Sequence, residues 1–269
     1  MKKLKMVFNL SQAKLFANLS GDYNPMHLDE NYSRRLIYGE PVAHGINVFF
    51  QILEKRLILL KNKIKIKYLK IKFIEPIYYE KDYELNITNL NDKELIVLSY
   101  KGKKAIEINL IYDIIKNFKL INSHSNLSQN LCCNSIDIFD AIDYDETLNY
   151  RILSENFIFP NSYKQVPFKV INFLIATSYI VGMKIPGLNS IFSQIELKNI
   201  SDKYEKIEEI KIQSSKVYRS VNLLKLNVYD NLTYAKINCF FRPTPVLQPS
   251  FKQISNLYSS NEFDSHHLK

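Results

Sequence analysis

The residues of this chain best suited to chemistry lie in Leu19-Ser20-Gly21-Asp22-Tyr23-Asn24-Pro25-Met26-His27, followed by Ala43-His44-Gly45. Asp22 and His27 are five positions apart, and Gly45 follows His27 by eighteen. A carboxylate accepts a proton, and an imidazole accepts or donates one near neutral pH, so the pair suits addition of water to a carbonyl compound or its removal. Gly21 permits a positive φ or a close approach, and Pro25 fixes φ near −65° and stiffens the turn, so the two side chains can be aimed at one place. Asn24 lies between them, where it can orient a partner or substrate. Pro41-Val42-Ala43-His44-Gly45 precedes the apolar run Ile46 to Leu60 and marks a helix start, whose free N–H groups can stabilise a developing oxyanion. A missing side chain at Gly45 would let a substrate oxygen come close to them. Asp-x-Asn-Pro taken alone is a common turn, and a lone histidine is commonly structural; the complete string with the downstream His-Gly supports catalysis. For His44, packing against the loop and a direct role are both open.

At these positions the chain resembles the MaoC-like hydratase/dehydratase family, the (R)-specific enoyl-thioester hydratases of the hot-dog fold. Phe16, Ser20, Gly21, Asp22, Asn24, Pro25, Met26 and His27 fit the family string, and Ala43, His44 and Gly45 match the start of its central helix. Tyr68 to Ile77 is similar to the strand after that helix. The resemblance covers about the first 115 residues. It implies Asp22, His27 and Gly45 as catalytic residues, Asn24 and His44 as substrate-binding residues, and an acyl-CoA or acyl-carrier-protein substrate, with no metal and no cofactor required. Two features depart from the family. Tyr79-Glu80-Lys81 stands where Pro-Gly-Asp is usual, and Phe49, Phe50 and Gln51 occupy helix turns where small or hydroxylated residues are common, which alters the expected acyl pocket.

Those residues require elements to hold them. A short helix over 9–18, with Ser11 as a candidate N-cap, precedes the motif. A long helix from Val42 to Leu60 follows, then strands near 63–75, 81–90, 93–101 and 103–112, the last two joined at Lys101-Gly102-Lys103. This is an α+β arrangement in which an antiparallel sheet wraps a helix. Residues 117–134 turn polar and read as a linker, with His124 solvated within it. The second half repeats the plan with an apolar helix over Pro167 to Met183 and strands near 190–199, 206–218, 221–229 and 232–241. It has no Asp-x-Asn-Pro-x-His. Val181 to Gly187 resembles a helix-to-strand connection of tandem hot-dog proteins. The expected organisation is a tandem hot-dog fold: 1–116 a catalytic half, 117–134 a linker, 135–245 a degenerate second half, and 246–269 a polar tail holding His266 and His267. The second half would complete the acyl tunnel in place of a homodimer partner.

With 269 residues, 46% of them hydrophobic, the chain can build a sizeable core in one or two domains. The net charge of +9, from 36 basic and 27 acidic residues, favours anionic partners, but the basic residues are dispersed. Lys63-Ile64-Lys65-Ile66-Lys67 alternates like a strand with one solvated face, or supplies a basic rim for the phosphates of coenzyme A or a carrier arm. Charge without a motif does not support nucleic-acid binding. Cys132, Cys133 and Cys239 form neither a disulfide framework nor a zinc spacing, which points to a reducing cytoplasm. The apolar helices are too short to span a bilayer, so no membrane partner is expected. A hot-dog thioesterase and a non-catalytic acyl-binding scaffold are the competing functions, the second favoured by the bulky Phe49 and Phe50.

Overall fold

The computed structural model describes residues 2–90, 93–116, 133–150, 158–199 and 209–244. The linker core with His124 and Cys132, and the tail with His266 and His267, lie outside them. The described chain runs β1 (Lys2–Met6), α1 (Leu10–Ser20), α2 (Glu30–Ser33), α3 (Gly45–Leu60), β2 (Lys63–Phe73), β3 (Tyr83–Leu90), β4 (Lys93–Tyr100) and β5 (Lys103–Ile115). It continues with β6 (Asp145–Leu148), α4 (Pro160–Gln165), α5 (Phe168–Tyr179), β7 (Ser190–Asn199), β8 (Ile210–Tyr218), β9 (Leu223–Tyr229) and β10 (Thr233–Phe241).

All ten strands form one sheet in the order β1-β3-β4-β5-β2-β7-β10-β9-β8-β6. The first five positions and the last five, taken inward from each edge, follow the same plan, so the two halves repeat one topology and meet at the antiparallel β2–β7 pair. Each half wraps its sheet around one long helix, α3 or α5. This is an α+β hot-dog architecture, with the repeat visible in the strand order.

Alternation sets which face of each strand is buried. In β2, Ile64, Ile66, Leu69 and Ile71 enter the core, and a bulge between Ile66 and Tyr68 keeps the apolar residues inward over eleven positions. The lysines face outward and pair across strands, Lys67 with Asp113 at 2.8 Å, Lys70 with Glu196 at 3.4 Å and Lys72 with Glu107 at 3.2 Å. The Lys70–Glu196 pair crosses the junction between halves. The basic alternation is therefore a half-solvated strand face with opposite charges beside it.

Several expectations shift. Asn9, not Ser11, caps α1: its side chain accepts from the Gln12 N–H at 2.9 Å, and the Ser11 hydroxyl donates to the same oxygen. The short edge strand β1, too brief and too basic to show a pattern, pairs with β3. Helix α3 begins at Gly45 rather than Val42, because Val42 and Ala43 are held extended by Tyr78 and by an Ala43 N–H to Ile77 carbonyl bond of 2.7 Å. Phe49 and Phe50 are buried in the core, where Phe50 stacks on Phe159 at 5.0 Å. Glu80 adopts φ +54° at the position where the resembling family has glycine, so the left-handed turn persists without it. No helix among the described residues is long and apolar enough to cross a membrane.

Candidate active site

Helix α1 ends at Gly21, whose φ of +74° turns the chain and lets its N–H reach the Ala17 carbonyl at 2.8 Å. The chain then drops Asp22 inward, with its N–H on the Ser20 hydroxyl at 3.1 Å. Asn24 caps the short 3₁₀ turn Pro25–His27 by accepting from the Met26 N–H at 3.2 Å. That turn brings His27 back over Asp22. His44, immediately before α3, stacks on His27 with ring centroids 3.8 Å apart. All three side chains are buried, and their ligand atoms lie within 4.8 Å of one another.

Hydrogen bonds to backbone carbonyls fix both imidazoles. His27 Nδ1 lies 2.7 Å from the Val42 carbonyl, and His44 Nε2 lies 3.0 Å from the Asp22 carbonyl. Carbonyls only accept, so those nitrogens carry protons, leaving His27 Nε2 and His44 Nδ1 as bare lone pairs in the neutral rings. Burial lowers the His27 pKa to about 3, with His44 lowering and Asp22 raising it, and lowers that of His44 to about 4. Burial also raises the Asp22 pKa, against the lowering effects of His27, of the Ser178 hydroxyl and of the Asn24 N–H. Near neutral pH the site thus holds neutral imidazoles beside a carboxylate of increased proton affinity. The Tyr79 hydroxyl reaches the His27 and Val42 carbonyls at 3.1 and 3.2 Å, bracing the motif from the loop where Pro-Gly-Asp was expected.

The second half completes this arrangement. Ser178 on α5 donates to Asp22 Oδ2 at 2.6 Å. Gly182, in the turn after α5, packs against the carboxylate so closely that a Cβ there would stand 2.7 Å from Asp22 Cγ. Asn24 Nδ2 reaches the carbonyls of Gly182 and Gly187 at 3.1 and 3.3 Å, and that of Leu188 at 3.4 Å. Its amide is committed to clasping the halves together and it does not line the cavity, so the structure gives Asn24 a positioning contact in place of the expected substrate contact. Tyr150 donates to the Ser20 carbonyl at 2.9 Å, tying another second-half side chain to the motif loop.

Asp22 and His27 face a cavity of about 190 Å³ also walled by Gly45, Phe73, Ser178, Val181, Gly182, Ile191 and Phe192. No side chain caps the start of α3, where Gly45 contributes its backbone to the wall. The room left by its missing Cβ is filled by the Phe73 ring, 2.6 Å from the position a Cβ would take. A side chain at this position would therefore have to push the half-buried Phe73 ring aside, a packing effect separate from the expected approach of a substrate oxygen. Phe49 and Phe50 are not among the lining residues, so they do not constrict it. That removes the observation that favoured a non-catalytic scaffold.

Asp22, His27 and His44 match a metal-binding set by type and proximity. Their geometry fits poorly, because a bound ion must lie in the plane of each ring at about 2 Å from its nitrogen, and these planes are only 29° from parallel at 3.8 Å separation. The same groups can hold a water molecule by ordinary hydrogen bonds.

Residues 2–105 match the family model of the MaoC like domain. That match lies in the first half of the chain. Every motif residue described above falls within it. No curated protein matches the chain by sequence. Among solved structures, one described as a MaoC-like dehydratase aligns over 90% of this chain and 98% of its own, at 10% identity and a TM-score of 0.56. A Chloroflexus aurantiacus J-10-fl protein described as a MaoC domain protein dehydratase aligns over 90% and 95%, at 7% identity and a TM-score of 0.56. A Thermobifida fusca YX protein described as a thioesterase II aligns over 81% and 91%, at 11% identity and a TM-score of 0.45. At these identities the likeness is one of fold, and the two likenesses covering 90% of this chain extend well beyond residues 2–105 into the second half.

Ser178, Gly182 and Tyr79 were not foreseen as parts of the site. Gly182 lies in the Val181–Gly187 run that the sequence does mark, but its role depends on a contact across 160 residues, which no local pattern encodes.

Proposed function

We propose that this protein catalyses the reversible addition of water to a trans-2-enoyl thioester, giving an (R)-3-hydroxyacyl thioester carried on coenzyme A or a carrier protein. The observation that carries this reading is the convergence of the Asp22 carboxylate and the His27 lone pair on one cavity beside the uncapped start of α3. A water between the two groups is oriented by His27 Nε2 and gives one proton to the pair as its oxygen bonds to C3. The C2–C3 π electrons move toward the thioester oxygen, which the first N–H groups of α3, Gly45 foremost, stabilise. The same proton is then returned to C2, and the second water proton stays on the new hydroxyl. Asp22 is the stronger base of the pair because burial raises its proton affinity while lowering that of His27. Asn24, Ser178 and Gly182 position Asp22, and His44, which like Asn24 does not line the cavity, stacks on His27 and braces it.

The test is to follow loss of the enoyl chromophore and release of free thiol together, on crotonyl-CoA, longer enoyl-CoAs and a carrier-bound enoyl group. Loss of chromophore without thiol supports hydration. Release of thiol identifies thioester hydrolysis and overturns the reading.

A further inference from the structure

We propose that Arg242 forms an anion subsite beside the Asp22–His27 cavity and recognises a negatively charged oxygen group of the substrate, a carboxylate on the acyl chain or a phosphate on its carrier. This deepens the thioester reading of the same site and rests on it. Arg242 directly follows β10 and is only 4% exposed. Its backbone N–H donates to the Asn189 carbonyl at 2.7 Å, and Nη2 donates to the Leu188 carbonyl at 2.7 Å, the carbonyl that Asn24 also approaches. The guanidinium is thereby fixed against the motif loop, next to the strand start whose Ser190, Ile191 and Phe192 wall the cavity.

Its remaining capacity is unmet. Nε and Nη1 are buried with no partner, and no carboxylate pairs with the group among the described residues. A guanidinium stays charged at any physiological pH, and burying such a charge unpaired is costly unless an anion joins it. Glu75, which lines the cavity, is exposed and makes no such pair. Burial lowers the pKa of His27 and raises that of Tyr38, both of which line the cavity, and the nearby Arg242 charge adds a smaller lowering effect on each. A planar set of N–H donors suits carboxylate and phosphate oxygens alike.

The experiment compares the full-length wild type with Arg242→Gln on four thioesters: a neutral enoyl group and one bearing a distal carboxylate, each on coenzyme A and on phosphate-free N-acetylcysteamine. If the acyl carboxylate is recognised, the wild type prefers the carboxylated acyl group on both carriers, and the variant loses about 100-fold of that kcat/KM ratio. If a carrier phosphate is recognised, the preference for coenzyme A over N-acetylcysteamine falls by a similar factor. Equal ratios in the two proteins overturn the subsite. Should the wild type turn over none of the four, the hydratase reading fails separately, and the subsite is read from melting temperatures with succinate or inorganic phosphate against chloride. Stabilisation of the wild type that Arg242→Gln abolishes supports it, and no stabilisation of the wild type, whether or not the variant folds, overturns it.

Discussion

Replacing Gly182 with alanine tests whether the second half builds the catalytic site. A Cβ at this position would lie 2.7 Å from both Asp22 Cγ and Oδ2 and nearer still to Oδ1, whereas ordinary contact begins at 3.4 Å. The backbone at Gly182 has no positive φ, so alanine is compatible with the local conformation, and the three atoms nearest the added Cβ all belong to Asp22. The carboxylate must retreat by about 1 Å, a misplacement worth about 100-fold in rate when it affects a reacting group. Retreat also breaks the 2.6 Å hydrogen bond from Ser178, a contact to a charged group of the class worth about 1.5–3 kcal/mol. Alanine regains up to about 1 kcal/mol of helix propensity over glycine, which offsets part of that loss. Gly182→Ala should therefore fold, melt within a few degrees of the wild type, and lose about 100-fold in kcat on an enoyl thioester. A folded Gly182→Ala protein with kcat within threefold of the wild type would refute the claim that Asp22 must stay where the second half holds it.

Ser178→Ala should move the acid limb of the pH–rate profile upward, because the Ser178 hydroxyl lowers the Asp22 pKa that burial has raised; an unmoved limb would separate Ser178 from catalysis. Neither histidine should contribute an inflection near 6.5 in either protein, since burial lowers His27 to about 3 and His44 to about 4. Stability should fall as pH drops from 6.5 toward those values. In that window the unfolded chain binds protons at both histidines and the folded chain does not, so protonation favours unfolding. Asp22 opposes this, since its raised value makes the folded state the better proton binder above 3.8, but it is one group against two. Melting temperatures at pH 7 and pH 5 check the sign, and His44→Gln should flatten the difference; a rise in melting temperature toward pH 5 would contradict it. Residues 1–116 expressed alone should self-associate and lack activity, because β2 loses its β7 partner and Asp22 loses Ser178. Size-exclusion chromatography with the enoyl assay tests this, and an active monomer would show the second half to be dispensable.

The parts of the fold legible in the sequence were those with a repeating signal. The Lys-Ile alternation of β2 gives its inward face directly, and the predominantly apolar runs give α3 and α5. The motif loop was legible because Gly21 permits the left-handed turn that ends α1 and Pro25 fixes its own φ. Asp22, His27 and His44 consequently come together from residues that can be read locally. What escaped depends on partners distant in the chain. β1 has five residues and acquires its strand character from β3, and α4 is a single short helix whose start is held by Glu54 through the Asn161 N–H and the Ser162 hydroxyl. Ser178 and Gly182 look like ordinary residues of an apolar helix and its exit until Asp22 is placed against them. Glu80 shows the converse: the sequence departs from glycine, yet the chain keeps the left-handed turn because Tyr79, the Phe8 carbonyl and the adjoining strand define the path around it.

The most direct measurement is the hydration rate of crotonyl-CoA by the full chain beside its Asp22→Asn variant, which is isosteric and can still meet the Ser178 hydroxyl. Enoyl loss without thiol release is expected from the wild type, with turnover lower by about two to four orders of magnitude in the folded variant. Equal turnover by a folded Asp22→Asn protein would contradict it.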